Sequence, residues 1–242
     1  MRKFTGSKAS RAVAFLLAAV ILLCTAPSSA AAAAPKFSYK DAQDAKLKAL
    51  DCLMTCGFSV EYNSDDSTLK RWEKTIWIYV SGSPSSEDKK QLDKFIIDIA
   101  THCPNMPNIR LASSEEKANI VIWYGPLKNM SKHVDGYHEG NWGYFSYQTS
   151  SNKITSAKIA IASDKNSKES KKHLLLEELV GAFGLTNDHN DYSDSILYAP
   201  WTTVGSLSKV DWLMLNMLYD PDLKCGMGAN EAYSILRDKI MK

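Results

Sequence analysis

The chain has 242 residues, 45% hydrophobic and 23% charged, with 29 Lys and Arg against 27 Asp and Glu for a net charge of +2. A balance this even, with the two signs interleaved, leaves no electrostatic footprint for nucleic acid. The size suits one domain with a full-sized core.

Arg2, Lys3, Lys8 and Arg11 precede an unbroken apolar run from Ala12 to Cys24, and small residues lead to the alanines Ala30 to Ala34. This pattern predicts a secretory signal peptide over residues 1–30, cut between about 30 and 34. Its 13 apolar residues fall short of the about 20 that cross a bilayer, although a retained N-terminal anchor is the alternative. No second long apolar run follows, so no transmembrane span is expected in the mature chain. The expected location is extracellular or in the cell envelope. Without the four leader cations, 25 basic residues face 27 acidic ones, a balance of −2.

Residues 36–70 read as a helical lead-in, with Leu47, Leu50, Leu53 and Met54 recurring at helical spacing. Cys52 and Cys56, four apart on one helix face, are too far separated for an undistorted bridge to each other. With Cys103 and Cys225 they either form two disulfides or remain buried thiols. The main domain is assigned to residues 72–242. Thr75 to Val80 is β-branched and aromatic and predicts a strand. Ser85 and Asp88 make a capping-box start for a helix with Leu92, Phe95, Ile96, Ile99 and Cys103 on its apolar face. Pro104 and Pro107 end it, and Asn108 to Ala112 predicts a short strand. Ala118 to Tyr124 suits a central strand. After a polar, Gly-rich loop come two more strands, Trp142 to Gln148 and Ile154 to Ala162. A helix follows from about Ser170 to Phe183, closed by Gly184. Ser208 and Asp211 open another helix that stops before Pro221, and a last helix covers Glu231 to Ile240. The fold class is therefore mixed α/β (α+β), a helix-covered twisted sheet.

One stretch carries the functional reading: Glu177-Glu178-Leu179-Val180-Gly181-Ala182-Phe183-Gly184-Leu185-Thr186-Asn187. Its spacing matches the zinc-peptidase signature H-E-x-x-H-x-x-G-x-x-H, keeping the glutamate and the glycine. Downstream, Ser195-Ile196-Leu197-Tyr198-Ala199-Pro200, then Leu207-Ser208-x-x-Asp211 and Leu218-Tyr219, resembles the turn beneath the metal and the closing helix of the metzincins. The chain is also similar to a bacterial family of domains of unknown function, number twenty-nine twenty-seven. The resemblance covers roughly residues 72–228. It implies a zincin-like mixed sheet with an antiparallel edge strand, a helix behind it, a signature helix and a C-terminal helix.

The same resemblance makes Glu178 the candidate catalytic base and Glu177, Gly181 and Asn187 the vestigial ligand positions. Glycine offers a metal nothing, and one carboxylate with one amide holds zinc poorly. No cofactor is therefore expected, the alternative being a divalent metal on Glu177, Asp188 and His189. Glu178 has a structural alternative, a bond to the Ser195 to Tyr198 turn. His173 reads as an exposed first-turn residue. The expected function is an exported binding or envelope-associated module, with a peptide or envelope protein in the cleft and Trp142 and Tyr144, or Phe145 and Tyr147, gripping it along the edge strand. The alternative is a metal-dependent hydrolase or peptidase with Glu178 as general base.

Overall fold

A serine followed three residues later by an aspartate starts two of the helices that frame the sheet. The structure, a computed structural model, describes residues 39–58 and 67–242. The signal peptide, and positions 36–38 and 59–66 of the lead-in, lie outside the described residues.

Among the described residues, five α-helices and five strands follow in chain order: α1 Tyr39–Phe58, β1 Ile76–Gly82, α2 Ser86–His102, β2 Ile109–Leu111, β3 Ile120–Gly125, β4 Gly143–Ser150, β5 Lys153–Ala162, α3 Lys168–Ala182, α4 Lys209–Leu218 and α5 Ala229–Met241. In α2, Ser85 Oγ accepts from the Asp88 amide at 3.1 Å while Asp88 accepts from the Ser85 amide at 2.8 Å. The same reciprocal pair, Ser208 with Asp211, opens α4.

The strands form one mixed sheet in the order β2-β1-β3-β5-β4. The first four run parallel, and β4 alone is antiparallel, joined to β5 by a tight turn at Ser151 and Asn152, both at positive φ. The expected mixed sheet with an antiparallel edge strand and covering helices is borne out. Ile78, Ile120, Ile122 and Ile159 are buried at its centre. Helix α1 packs on α4 and α5, and its Leu50 and Leu53 belong to the same core. Cys52, Cys56, Cys103 and Cys225 are all free thiols, the first three buried.

The C-terminal ends of α3 and α4 are tied by Arg71 and Trp72 from the segment before β1 and by Tyr219 at the end of α4. Trp72 Nε1 donates to Ala182 O at 2.9 Å, and Tyr219 Oη donates to Phe183 O at 2.9 Å. Arg71 donates to Leu218 O, Asp220 O and Leu223 O at 2.7, 2.9 and 2.8 Å. The bonds to Ala182, Phe183 and Leu218 satisfy carbonyls that a helix C-terminus leaves open, and those to Asp220 and Leu223 hold the turn after α4. Gly184 follows α3 at φ +120°, where an added Cβ would lie 2.4 Å from Lys70 O. Only glycine permits that crossing.

The loop between α3 and α4 hangs on Asp211, which is fully buried. Its carboxylate accepts from Ser195 Oγ at 2.5 Å, from the Ile196 amide at 3.1 Å and from the Ser208 amide at 2.7 Å. Ser195 Oγ also accepts from the Leu197 amide at 3.0 Å. Replacing Asp211 with Ala leaves three donors without this acceptor, those of Ser195 and Ile196 fully buried, and is expected to cost about 3 kcal/mol or more in denaturant unfolding. Asp238→Ala, on the exposed face of α5, is expected to change stability by less than about 0.5 kcal/mol. Equal stability of the two variants would remove Asp211 from this role.

Candidate functional site

Helix α3 crosses beneath the edge strand β4 closely enough that a glycine on each element receives a side chain from the other. An added Cβ on Gly181 would lie 2.5 Å from the ring of Phe145 in β4, and one on Gly143 would lie 2.4 Å from Glu178 Oε1 in α3. Real Cβ contacts are never that short, so Phe145 packs on the bare helix and Glu178 on the bare strand. Beside this contact lies a cavity of about 780 Å³ whose wall includes Glu177, Glu178, Asn187, Phe145, Trp142 and Trp201.

Glu178 is 7% exposed and Glu177 lies at the cavity wall with its side chain 24% exposed. Among the described residues no hydrogen-bond donor engages either carboxyl, and both are held well above the ordinary carboxylate range. For Glu177 burial comes first and the charge of Asp188 second, pushing it up to about 8. For Glu178 burial dominates, followed by repulsion from Glu177 and Asp188. At neutral pH the pair therefore holds protons and can donate as well as accept hydrogen bonds.

His173, expected to be exposed, is instead 2% exposed. Its Nδ1 lies 2.9 Å from Val204 O, which can only accept, so Nδ1 carries the hydrogen. The Nε2 lone pair then faces Glu177 Oε2 at 3.5 Å. Burial lowers the His173 pKa against the opposing pull of Val204, in keeping with a neutral ring beside a protonated carboxyl. Trp201 stands edge-on to His173 at 5.6 Å and to Trp142 at 6.2 Å between ring centroids. Both indoles are exposed, at 58% and 41%. Trp201, following Pro200 in a polar loop, was not among the expected site residues; a large aromatic in such a loop was the available signal.

The donor set does not fit a three-ligand zinc centre. Gly181 has no side chain and its Cα is covered by Phe145. Asn187 is turned to α1, its amide N–H donating to Cys56 O at 3.1 Å and its Nδ2 to Thr55 O at 3.5 Å. Nor does the alternative trio come together. Glu177 and Asp188 line the cavity and His189 does not. His189 is 2% exposed within the loop, with Nε2 3.0 Å from Ser195 Oγ and Nδ1 accepting from the Asp191 amide at 3.2 Å. The structural bond expected from Glu178 to the Ser195 to Tyr198 turn is supplied by Asp211 instead. A buried carboxylate at the first turn of α4 reaches that loop, whereas Glu178 points at β4.

The edge strand and signature-helix arrangement is the one the zincin resemblance implies, and it defines a mixed α/β domain with a cleft between β4 and α3. The chain belongs to the family "Protein of unknown function (DUF2927)", whose model matches residues 49–238. Among curated proteins no sequence matches. Among solved structures the chain is similar to that titled "Structure of myroilysin", at 11% identity and a TM-score of 0.39, covering 62% of this chain and 94% of that one. A superposition of that quality assigns no activity to this chain.

Two outcomes follow from the close crossing and the buried acids. Gly181→Ala is expected to destabilise by about 1–3 kcal/mol through overpacking on Phe145, and Phe145→Ala in the same chain to recover part of that loss; additive losses in a double-mutant cycle would contradict the contact. The folded chain holds protons that the unfolded chain releases between pH 4.5 and about 8, so stability from this pair is full below 4.5 and lost as pH rises through 8. Between pH 5 and pH 8.5 the wild type is expected to lose roughly 4 kcal/mol more than Glu177→Gln/Glu178→Gln, about 1.4 kcal/mol for each unit between pH 5 and the Glu177 value of about 8. Parallel pH profiles by denaturant unfolding would refute the assignment.

Proposed function

We propose that this chain is an exported binding module whose cleft takes an extended peptide segment of an extracellular or envelope protein along β4, without zinc-dependent hydrolysis. The observation that carries this reading is the outward-facing main chain of β4 at the cavity. Ala162 N–H donates to Trp142 O at 2.8 Å, and Gly143 pairs in register with Ile161. In an antiparallel ladder the hydrogen-bonded pairs alternate. Tyr144 and Ser146 therefore face β5, and the N–H and C=O groups of Gly143 and Phe145 point away from the sheet. Among the described residues no strand pairs with that outer edge.

A peptide laid there gains main-chain hydrogen bonds from the strand and side-chain contacts from the cavity wall. Trp142 and Trp201 supply rigid aromatic anchors at the mouth. The protonated carboxyls of Glu177 and Glu178 offer hydrogen bonds to peptide carbonyls on the opposite wall. Covering of Gly181 by Phe145 supports binding over hydrolysis by a histidine-held metal. The leader pattern in residues 1–30 supports export.

Selection of a random peptide library on the purified chain is expected to enrich binders that lose about tenfold in affinity on Trp201→Ala, roughly 1.4 kcal/mol. Bound peptides should stay intact and bind equally well with and without chelator. Peptide cleavage that chelator stops and Glu178→Gln abolishes would replace this reading with that of a metallopeptidase.

A further inference from the structure

Behind the cleft, a second group of ligand-type side chains joins α1 to the loop after α3. Cys52 Sγ, a ring nitrogen of His189 and a carboxylate oxygen of Asp191 lie within 4.8 Å of one another, with Cys52 Sγ 3.9 Å from Asp191 Oδ2. None of the three lines the cavity. Cys52 and His189 are each 2% exposed, while Asp191 is exposed and opens the group to solvent.

The hydrogen bonds around His189 settle which nitrogen can bind. Ser195 has one hydroxyl hydrogen, and it is donated to Asp211 Oδ1 at 2.5 Å. Toward His189 Nε2, 3.0 Å away, Ser195 Oγ is therefore the acceptor and Nε2 carries the hydrogen. The lone pair is on Nδ1, where it accepts from the Asp191 amide at 3.2 Å, so a metal bound there takes the place of that one hydrogen bond. A histidine whose other N–H is anchored through a hydroxyl to a buried carboxylate is the arrangement that orients metal-binding imidazoles.

The surroundings favour a cation. Burial first, then the charges of Asp191, Asp51 and Asp211, push the Cys52 thiol up to about 11. A divalent ion reverses that balance, because a coordinated thiol loses its proton outright. One thiolate and one carboxylate offset the two charges of such an ion.

We propose that Cys52, His189 Nδ1 and Asp191 form a binding site for a borderline-soft divalent cation of the zinc class, with its fourth position open to water. Metal–ligand lengths of about 2.0–2.3 Å place tetrahedral ligands about 3.3–3.8 Å apart, so an ion draws together three atoms that already lie within 4.8 Å and releases the Asp191 amide from Nδ1. Sulfur and imidazole donors select zinc, cobalt or copper over calcium or magnesium. The ion clips α1 to the loop that carries Asn187 and the Ser195 turn. This site is independent of the peptide reading of the cleft.

Cobalt reports on it directly. The purified full chain, kept reduced and stripped of metal, is titrated with Co²⁺. One equivalent is expected to give a saturable thiolate-to-cobalt charge-transfer band that Zn²⁺ displaces. Cys52→Ser should remove the band and exposed-site Asp191→Asn should weaken cobalt binding at least tenfold. Cys56→Ser, Cys103→Ser and Cys225→Ser should each keep it. Circular dichroism verifies that each variant is folded, and Asp191→Asn decides alone if Cys52→Ser is not. The proposal is overturned by a wild type with no saturable band, by a band that survives in folded Cys52→Ser, or by unchanged affinity in Asp191→Asn.

Discussion

The reciprocal contact between α3 and β4 governs the molecule. A helix and an edge strand approach closely only where neither has a Cβ in the way, and Gly181 and Gly143 supply the two gaps. Phe145 fills one and the Glu178 carboxyl fills the other. The consequences reach the chemistry. Glu178 is confined against the strand away from water, which keeps its proton on, and the ring over Gly181 leaves no room for a donor at that helix position. A single packing choice thus shapes the cleft and limits what it can do.

A second constraint, polar rather than steric, holds the loop after α3. Asp211 is a capping residue of α4 and also the acceptor for Ser195 and Ile196. Burying a carboxylate is costly unless its oxygens are occupied, and here three donors occupy them. The chain of bonds continues from Asp211 through Ser195 to His189, so the residue that caps a helix also sets the hydrogen position on an imidazole. The loop's order and the character of His189 have one cause.

Much of this was legible in local pattern. The capping boxes at Ser85 and Ser208, the β-branched run at Thr75 to Val80 and the glycine after α3 each act within a few residues, and each lies where the spacing predicts. The Glu177/Glu178 pair and the 177 to 187 spacing likewise marked the cleft. His173 shows the limit: its place on the helix wheel says nothing of Val204, 31 residues later, which covers it and accepts its hydrogen. The role given to Glu178 was supplied by Asp211 because both are carboxylates near the same turn in sequence, and only the direction of α3 against β4 separates them.

What the sequence determined by itself was the set of elements, their order and the poverty of metal donors at the signature positions, since these depend on residue type and short-range spacing. What only the tertiary structure decided was which distant groups meet: Phe145 on Gly181, Trp201 on His173, and Cys52 beside Asp191 across 139 residues. Burial, and the protonation states that follow from it, belongs to that second class. A carboxyl's proton affinity is set by how much water and charge surround it, and that surrounding exists only once the sheet and helices have closed.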